Sequence, residues 1–219
     1  MTQLQTHIAL SNDLSRYDNL LLDCDGVVLD SNFLKEKNIF EATLKHTDFN
    51  TAQAFSKYFT DNNGLPRAHK IVTYFGDTAL SQEILSLYNH LNEESLLHAP
   101  FTFGFEQFLD KTDGLFKRYV LSGGEESELQ FVFNRKGIAT RFEKIMGAPK
   151  TKYEHLYELN LQGSTLYIGD GRLDYEVATQ FQFSFIFMSG YTQFSEWRSF
   201  FSNQSHVIVI KNLSELYLC

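Results

Sequence analysis

Five short apolar runs punctuate the chain: Leu20–Asp23, Arg118–Leu121, Thr165–Ile168, Phe183–Met188 and Val207–Ile210. Each is too short for a helix and reads as a buried strand. Apolar residues recur at helical spacing over Glu125–Lys136, Lys152–Leu159 and Asp174–Gln180. Strands alternating with helices of this length predict an α/β fold with a Rossmann-like parallel sheet and helices on both faces.

One gap breaks the alternation. Roughly ninety residues separate Asp25 from Arg118, far more than one crossover helix needs. The gap carries helix-like segments at Leu34–Lys45, Thr51–Tyr58, Leu65–Phe75, Ser81–Leu91 and Phe105–Lys111. The pattern predicts a small helical domain, residues 32–97, inserted into a core made of residues 1–31 and 98–219.

The first apolar run delivers two aspartates, in Asp23-Cys24-Asp25-Gly26. Burying like charges this close is costly unless a cation neutralises them, so the pair points to a metal. Three further segments are expected at the same carboxyl edge of the sheet, where open α/β sheets place their ligands. They are Ser122-Gly123-Gly124 after the second run, Gly147-Ala148-Pro149-Lys150-Thr151-Lys152 ahead of a helix, and Gly169-Asp170-Gly171-Arg172-Leu173-Asp174 after the next run. Taken singly, each is also an ordinary turn. Together they supply the reagents of phosphoryl transfer. Asp23 is placed to attack phosphorus and Asp25 to move protons to the leaving oxygen and from water. Ser122, Gly123, Gly124 and the turn at Gly26 are phosphate donors. Lys152 is the balancing cation, with Lys150 its rival. Hard oxygen ligands from Asp23, the backbone carbonyl of Asp25, Asp170 and Asp174 suit Mg²⁺; Asp174 would hold a metal-bound water or orient Lys152. Asp30 and Ser31 read as a cap for the helix starting near Phe33.

Composition narrows the partners. A net charge of −8 argues against nucleic acid but leaves a small phosphorylated metabolite open, because a bound cation and a nearby Lys override the global field. No apolar run approaches ~18 residues, so no membrane span is expected. Met1–His7 has neither a cationic nor a long apolar segment, and no signal peptide is expected. The two cysteines, Cys24 and Cys219, read as reduced thiols of a cytoplasmic protein, with Cys24 a packing residue. The 21 Phe and 11 Tyr read as core filling or, alternatively, as an exposed patch for a partner. Nothing in the pattern speaks to oligomeric state.

The motifs Asp23-Cys24-Asp25-Gly26-Val27-Val28, Ser122, Lys152 and Gly169-Asp170-Gly171-Arg172-Leu173-Asp174 resemble the four motifs of the haloacid dehalogenase-like superfamily. The large insert after the first motif is similar to the helical-cap subgroup of phosphoglycolate phosphatase and β-phosphoglucomutase. The resemblance implies a Mg²⁺-dependent phosphatase working through an aspartyl-phosphate. A phosphomutase, or a binding protein that has lost turnover, are the alternatives. Dehalogenases lack the second aspartate, which is present here as Asp25. The mutases carry a His about a dozen residues after the nucleophile, where this chain reads Phe33-Leu34-Lys35-Glu36-Lys37. The residue after Ser122 is usually Asn or similar; here it is Gly123, whose backbone is expected to serve instead. The cap would choose the substrate; its most suggestive stretch is Asn62-Asn63-Gly64-Leu65-Pro66-Arg67-Ala68-His69-Lys70, with Arg67 aimed at a substrate carboxylate or hydroxyls, or else merely a solvated helix start.

Overall fold

A computed structural model describes residues 14–216. Strand β1 spans Asn19–Leu22, β2 Lys117–Glu125, β3 Lys144–Ala148, β4 Thr165–Gly169, β5 Ser184–Met188 and β6 Ile208–Ile210. They form one sheet in the order β3-β2-β1-β4-β5-β6, and every pairing is parallel. The order reverses direction between β1 and β4, which makes the cleft above those two strand ends the expected ligand site.

Side chains alternate across the sheet with the two-residue period of a strand. Leu20, Leu22, Val120, Ile168 and Ile186 join one apolar cluster with Phe105 and Leu109 of α5 (Phe105–Lys111) and Val132 and Phe133 of α6 (Glu126–Arg135). Leu21, Tyr119, Leu121, Tyr167 and Phe187 join the other with Leu156 of α7 (Lys152–Leu159) and Val177 and Ala178 of α8 (Arg172–Gln180). All four residues of β1 are buried, as a strand covered on both faces requires.

Four helices lie between β1 and α5: α1 Asn32–Leu44, α2 Phe49–Asp61, α3 Arg67–Phe75 and α4 Ala79–His98. They close on an apolar cluster of their own, containing Ile39, Ala42, Phe55, Phe59, Ile71, Ile84 and Tyr88. The chain enters and leaves this helical unit on adjacent segments. The Asp30 amide donates to the Pro100 carbonyl at 2.9 Å and the Thr102 amide to the Val28 carbonyl at 3.1 Å.

Three features depart from the sequence reading. Strand β3 was not expected; its segment has only Ile145 and Met146 as bulky apolar residues before Gly147, too little for a periodic signal. Strand β2 runs past Leu121 through Ser122-Gly123-Gly124, and its register with β3 shifts between Leu121 and Glu125. Helix α4 extends well beyond Leu91. Its later turns bury polar Asn92, which accepts from Asn38 Nδ2 at 2.8 Å, and so break the apolar stripe. The aromatic residues divide between both readings: Phe55, Phe105, Phe133 and Phe187 are buried, whereas Phe33, Phe49 and Phe103 are exposed. Cys24 is free and buried in the first sheet cluster; Cys219 and Met1–His7 lie outside the described residues. Among the described residues no helix is long and apolar enough to cross a membrane.

Candidate active site

Asp23 follows β1 directly, and its amide continues the ladder by donating to the Ile168 carbonyl of β4 at 3.0 Å. Asp170 follows β4. The two carboxylates therefore stand on adjacent strand ends at the point where the sheet order reverses. After Asp23 the backbone folds into a tight loop, with Leu29 N donating to Cys24 O at 2.9 Å and Gly26 N to Leu29 O at 2.7 Å. Gly26 has a φ of 76°, in the left-handed region, and a Cβ there would run into the Asp170 carboxylate and the Asn32 amide. Gly26 thus lets that carboxylate approach the loop. Asn32 fixes it by donating to Asp170 Oδ2 at 2.7 Å.

Lys152 is brought in by the start of α7. Thr151 caps that helix: its Oγ1 accepts from the Glu154 amide at 3.2 Å, and Glu154 Oε2 accepts from the Thr151 amide at 2.7 Å. The Lys152 side chain is fully buried, with Nζ donating to Asp23 Oδ1 at 2.9 Å, Asp174 Oδ1 at 2.5 Å and Tyr167 Oη at 3.0 Å. The Tyr167 hydroxyl donates to the same Asp174 oxygen at 2.6 Å, and the Gly171 amide to Asp174 Oδ2 at 2.9 Å. Asp174 is thereby spent on holding Lys152 and the α8 start. Lys150 points elsewhere and pairs with Glu158 at 2.6 Å on the surface.

One oxygen each from Asp23, Asp170 and Asp174 lies within 4.8 Å of the others. A single ammonium faces three buried carboxylates, so the centre is short of positive charge. Burial, then Asp174, push Asp23 up to about 7 despite the opposing Lys152. Burial, then Asp23 and Asp174, push Asp170 well above the usual carboxylate range. Burial pulls Lys152 down, yet Asp174 and Asp23 outweigh it and hold its ammonium well above the ordinary value. A hard divalent cation fits this all-oxygen donor set and its charge deficit.

Asp25 stands apart from that trio. Its carboxylate accepts from Lys35 Nζ at 2.6 Å and from Ser31 Oγ at 2.5 Å. Burial acts to raise its pKa, but Lys35 and Ser31 more than compensate and leave it below the ordinary range. Ser31 occupies the N-cap position of α1 without a side-chain cap bond, because its hydroxyl is turned to Asp25; the expected capping role is corrected. Lys35, Asn32 and Gln193 were not picked out from sequence. Lys35 falls in the segment Phe33-Leu34-Lys35-Glu36-Lys37, where the mutases carry a His, and its charge is the one signal the sequence offers for it.

Ser122 is buried and does not itself line the pocket; its Oγ accepts from the Gly124 amide at 3.0 Å. Gly123 has a plain steric reason: a Cβ there would strike the Gly64 carbonyl, which the α2–α3 turn lays against it. Arg67 is buried. Its guanidinium forks onto Glu128 of α6, with Nη1 donating to Oε1 at 3.1 Å, and it also donates to Asn89 at 2.8 Å. It ties α3 to the sheet unit and is no solvated helix start. Gln193 spans the same junction, accepting from Asn63 at 2.9 Å and donating to Glu36 at 2.7 Å. Asp23, Asp25, Asp170, Gly123 and Gly124 from the sheet unit thus share one pocket with Lys35, Asn63, Arg67 and Lys70 from the helical unit. It encloses about 50 Å³ and adjoins a wider cleft of about 570 Å³ between α2 and α8.

Comparisons with known proteins bear on the fold. No family model matches the sequence, and no curated protein matches it. Solved structures do. A haloacid dehalogenase-like hydrolase from Streptococcus pneumoniae superposes with a TM-score of 0.68 at 18% identity, over 93% of this chain and 98% of that one. A protein titled a predicted phosphatase, from Clostridium acetobutylicum, gives 0.71 at 19% identity over 91% and 96%. CbbY from Rhodobacter sphaeroides, in complex with phosphate, gives 0.67 at 12% identity over 91% and 96%. This chain has the fold of the haloacid dehalogenase-like hydrolases, as its four motifs imply.

Proposed function

We propose that the protein is a Mg²⁺-dependent phosphatase that hydrolyses a small phosphorylated metabolite, of the phosphoglycolate or sugar-phosphate type, through an aspartyl-phosphate on Asp23. One observation carries the reading: three buried carboxylates and one buried lysine converge at the reversal point of the sheet, a charge arrangement that burial alone disfavours. The helical unit α1–α4 serves as a cap that closes over the substrate and excludes bulk water. The free, buried thiol of Cys24 accords with a reducing compartment, the cytoplasm.

Asp23, Asp170 and the Asp25 backbone carbonyl would hold the cation, with Asp174 behind them. When bound, Mg²⁺ supplies charge neutralisation of the phosphoryl oxygens. The chain does the rest. Asp23 Oδ1 is occupied by Lys152 and by the Cys24 amide at 2.8 Å, which leaves Oδ2 to attack phosphorus. Lys152 and the amides near Gly123 stabilise the charge on the phosphoryl group in flight. Asp25 would take up a proton as the anionic substrate binds beside it, give that proton to the leaving oxygen, and as the carboxylate so formed take one from the water that cleaves the aspartyl-phosphate. Lys35 and Ser31 hold its carboxylate in one orientation for both steps. A screen of phosphorylated metabolites with and without Mg²⁺, using p-nitrophenyl phosphate as a general probe, tests the reading; phosphate release that ignores Mg²⁺, or none from any substrate, would count against it.

A further inference from the structure

Three cations of the helical unit line the pocket: Lys35, Arg67 and Lys70. Two are neutralised. Lys35 pairs with Asp25 and Arg67 with Glu128. Lys70 is different. It is only 4% exposed, and among the described residues no carboxylate reaches its ammonium. Nζ donates to the Phe59 carbonyl at 3.2 Å and lies 3.4 Å from the centre of the Phe59 ring. Burial first, then the like charges of Lys35 and Arg67, push its pKa well below the ordinary lysine value. A buried lysine with no counter-ion is costly to charge, and a fold has no packing reason to keep one where Met would fit.

We infer that Lys70 anchors a subsite for a second anionic group, a carboxylate or a second phosphate, carried on the leaving group of the substrate. The inference rests on the phosphatase reading and deepens it. The reacting phosphate belongs at Asp23 on the sheet side, so the leaving group faces α3, where Lys70 stands. The enclosed space of about 50 Å³ keeps the two ends of a ligand close together. An arriving anion completes the ion pair that Lys70 lacks, and the neighbouring charges of Lys35 and Arg67, already partnered, add a favourable field. Arg67, which the sequence aimed at this role, is committed to Glu128.

The test compares matched substrates. Phosphoglycolate is set against ethyl phosphate, and propanediol bisphosphate against propyl phosphate, with the wild type, Lys70→Met and Lys70→Arg. The expected result is a wild-type preference of about 10- to 100-fold in kcat/KM for at least one anionic member, a charge-assisted hydrogen bond's worth. The pair that displays it identifies carboxylate or phosphate. In Lys70→Met the ratio falls toward one, and Lys70→Arg recovers part of it. Met removes a buried charge at similar volume, so the melting temperature should hold or rise. Absence of preference in the wild type, or a preference that survives Lys70→Met, overturns the inference. Calorimetric binding of phosphoglycolate and propanediol bisphosphate to Asp23→Asn protein, with and without Lys70→Met, needs no turnover. If no substrate is hydrolysed yet Lys70→Met weakens that binding, the phosphatase reading falls and the subsite stands; binding that is indifferent to Lys70→Met overturns the subsite alone.

Discussion

The Lys35 ammonium lies 2.6 Å from the Asp25 carboxylate, so a helix of the inserted unit ends its reach on the loop that follows β1. Together with Ser31, the pair lets the start of α1 fix the orientation of the group we assign to proton transfer. Lys35→Met should lower kcat by about 10- to 100-fold on alkyl phosphates. The loss should be smaller on p-nitrophenyl phosphate, whose leaving group needs no proton. Equal losses on both would mean that Lys35 supports the fold and not the proton step.

Gly123 and Gly64 touch backbone to backbone. Gly123→Ala places a methyl group against the Gly64 carbonyl and wedges the α2–α3 turn away from β2. The expected cost is about 1–3 kcal/mol in stability or closure, read as a KM raised roughly tenfold with a smaller change in kcat. An unchanged KM would show that this turn does not need to seat for the substrate to bind.

The two candidate lysines separate cleanly. Lys152→Met removes the one ammonium that, among the described residues, is bonded to Asp23 and Asp174, and activity should fall by about a thousandfold or more. Lys150→Met breaks only a surface pair with Glu158 and should leave activity within about twofold. Steady-state phosphate release decides both.

Without a divalent ion the carboxylate trio makes stability depend on pH. Asp23 is raised from its ordinary value of 3.8 to about 7, chiefly by burial and then by Asp174. A raised carboxylate favours the protonated folded state, so its stabilisation is present below about pH 4 and is lost as pH climbs through about 7. Metal-free protein should therefore melt lower at about pH 8 than at about pH 5.5. Mg²⁺ should raise the midpoint by about 5 °C or more at the higher pH and by much less at the lower one. An equal Mg²⁺ effect at both pH values would contradict the assignment of Asp23 and Asp170 as metal ligands.

Much of this was legible in the chain because strand ends are where apolar runs stop and chemistry begins. Asp23 and Asp170 each follow a buried apolar run, and Lys152 stands in a Gly-Ala-Pro turn ahead of a helical pattern, with Lys150 as its rival. Asp25 was found by spacing alone, but its partners were not, since Lys35 and Ser31 meet it through the loop after Gly26. Arg67 reads in sequence as a substrate-directed cation or a solvated helix start, whereas it is buried and forks onto Glu128, a pairing of positions 61 residues apart that no local pattern shows. Lys70 closes the suggestive stretch of the helical unit but carries no role in the sequence reading, because a lysine on an amphipathic helix ordinarily lies on the wet face. Strand β3 lacked the branched run that would have marked it.

The most direct test of the account is rapid acid quench of wild-type protein and substrate in the presence of Mg²⁺, followed by peptide mass analysis. The prediction is one phosphoryl group on the peptide that contains Asp23, appearing before free phosphate and absent from Asp23→Asn. Phosphate released in a burst with no modified peptide, together with an active Asp23→Asn variant, would contradict it.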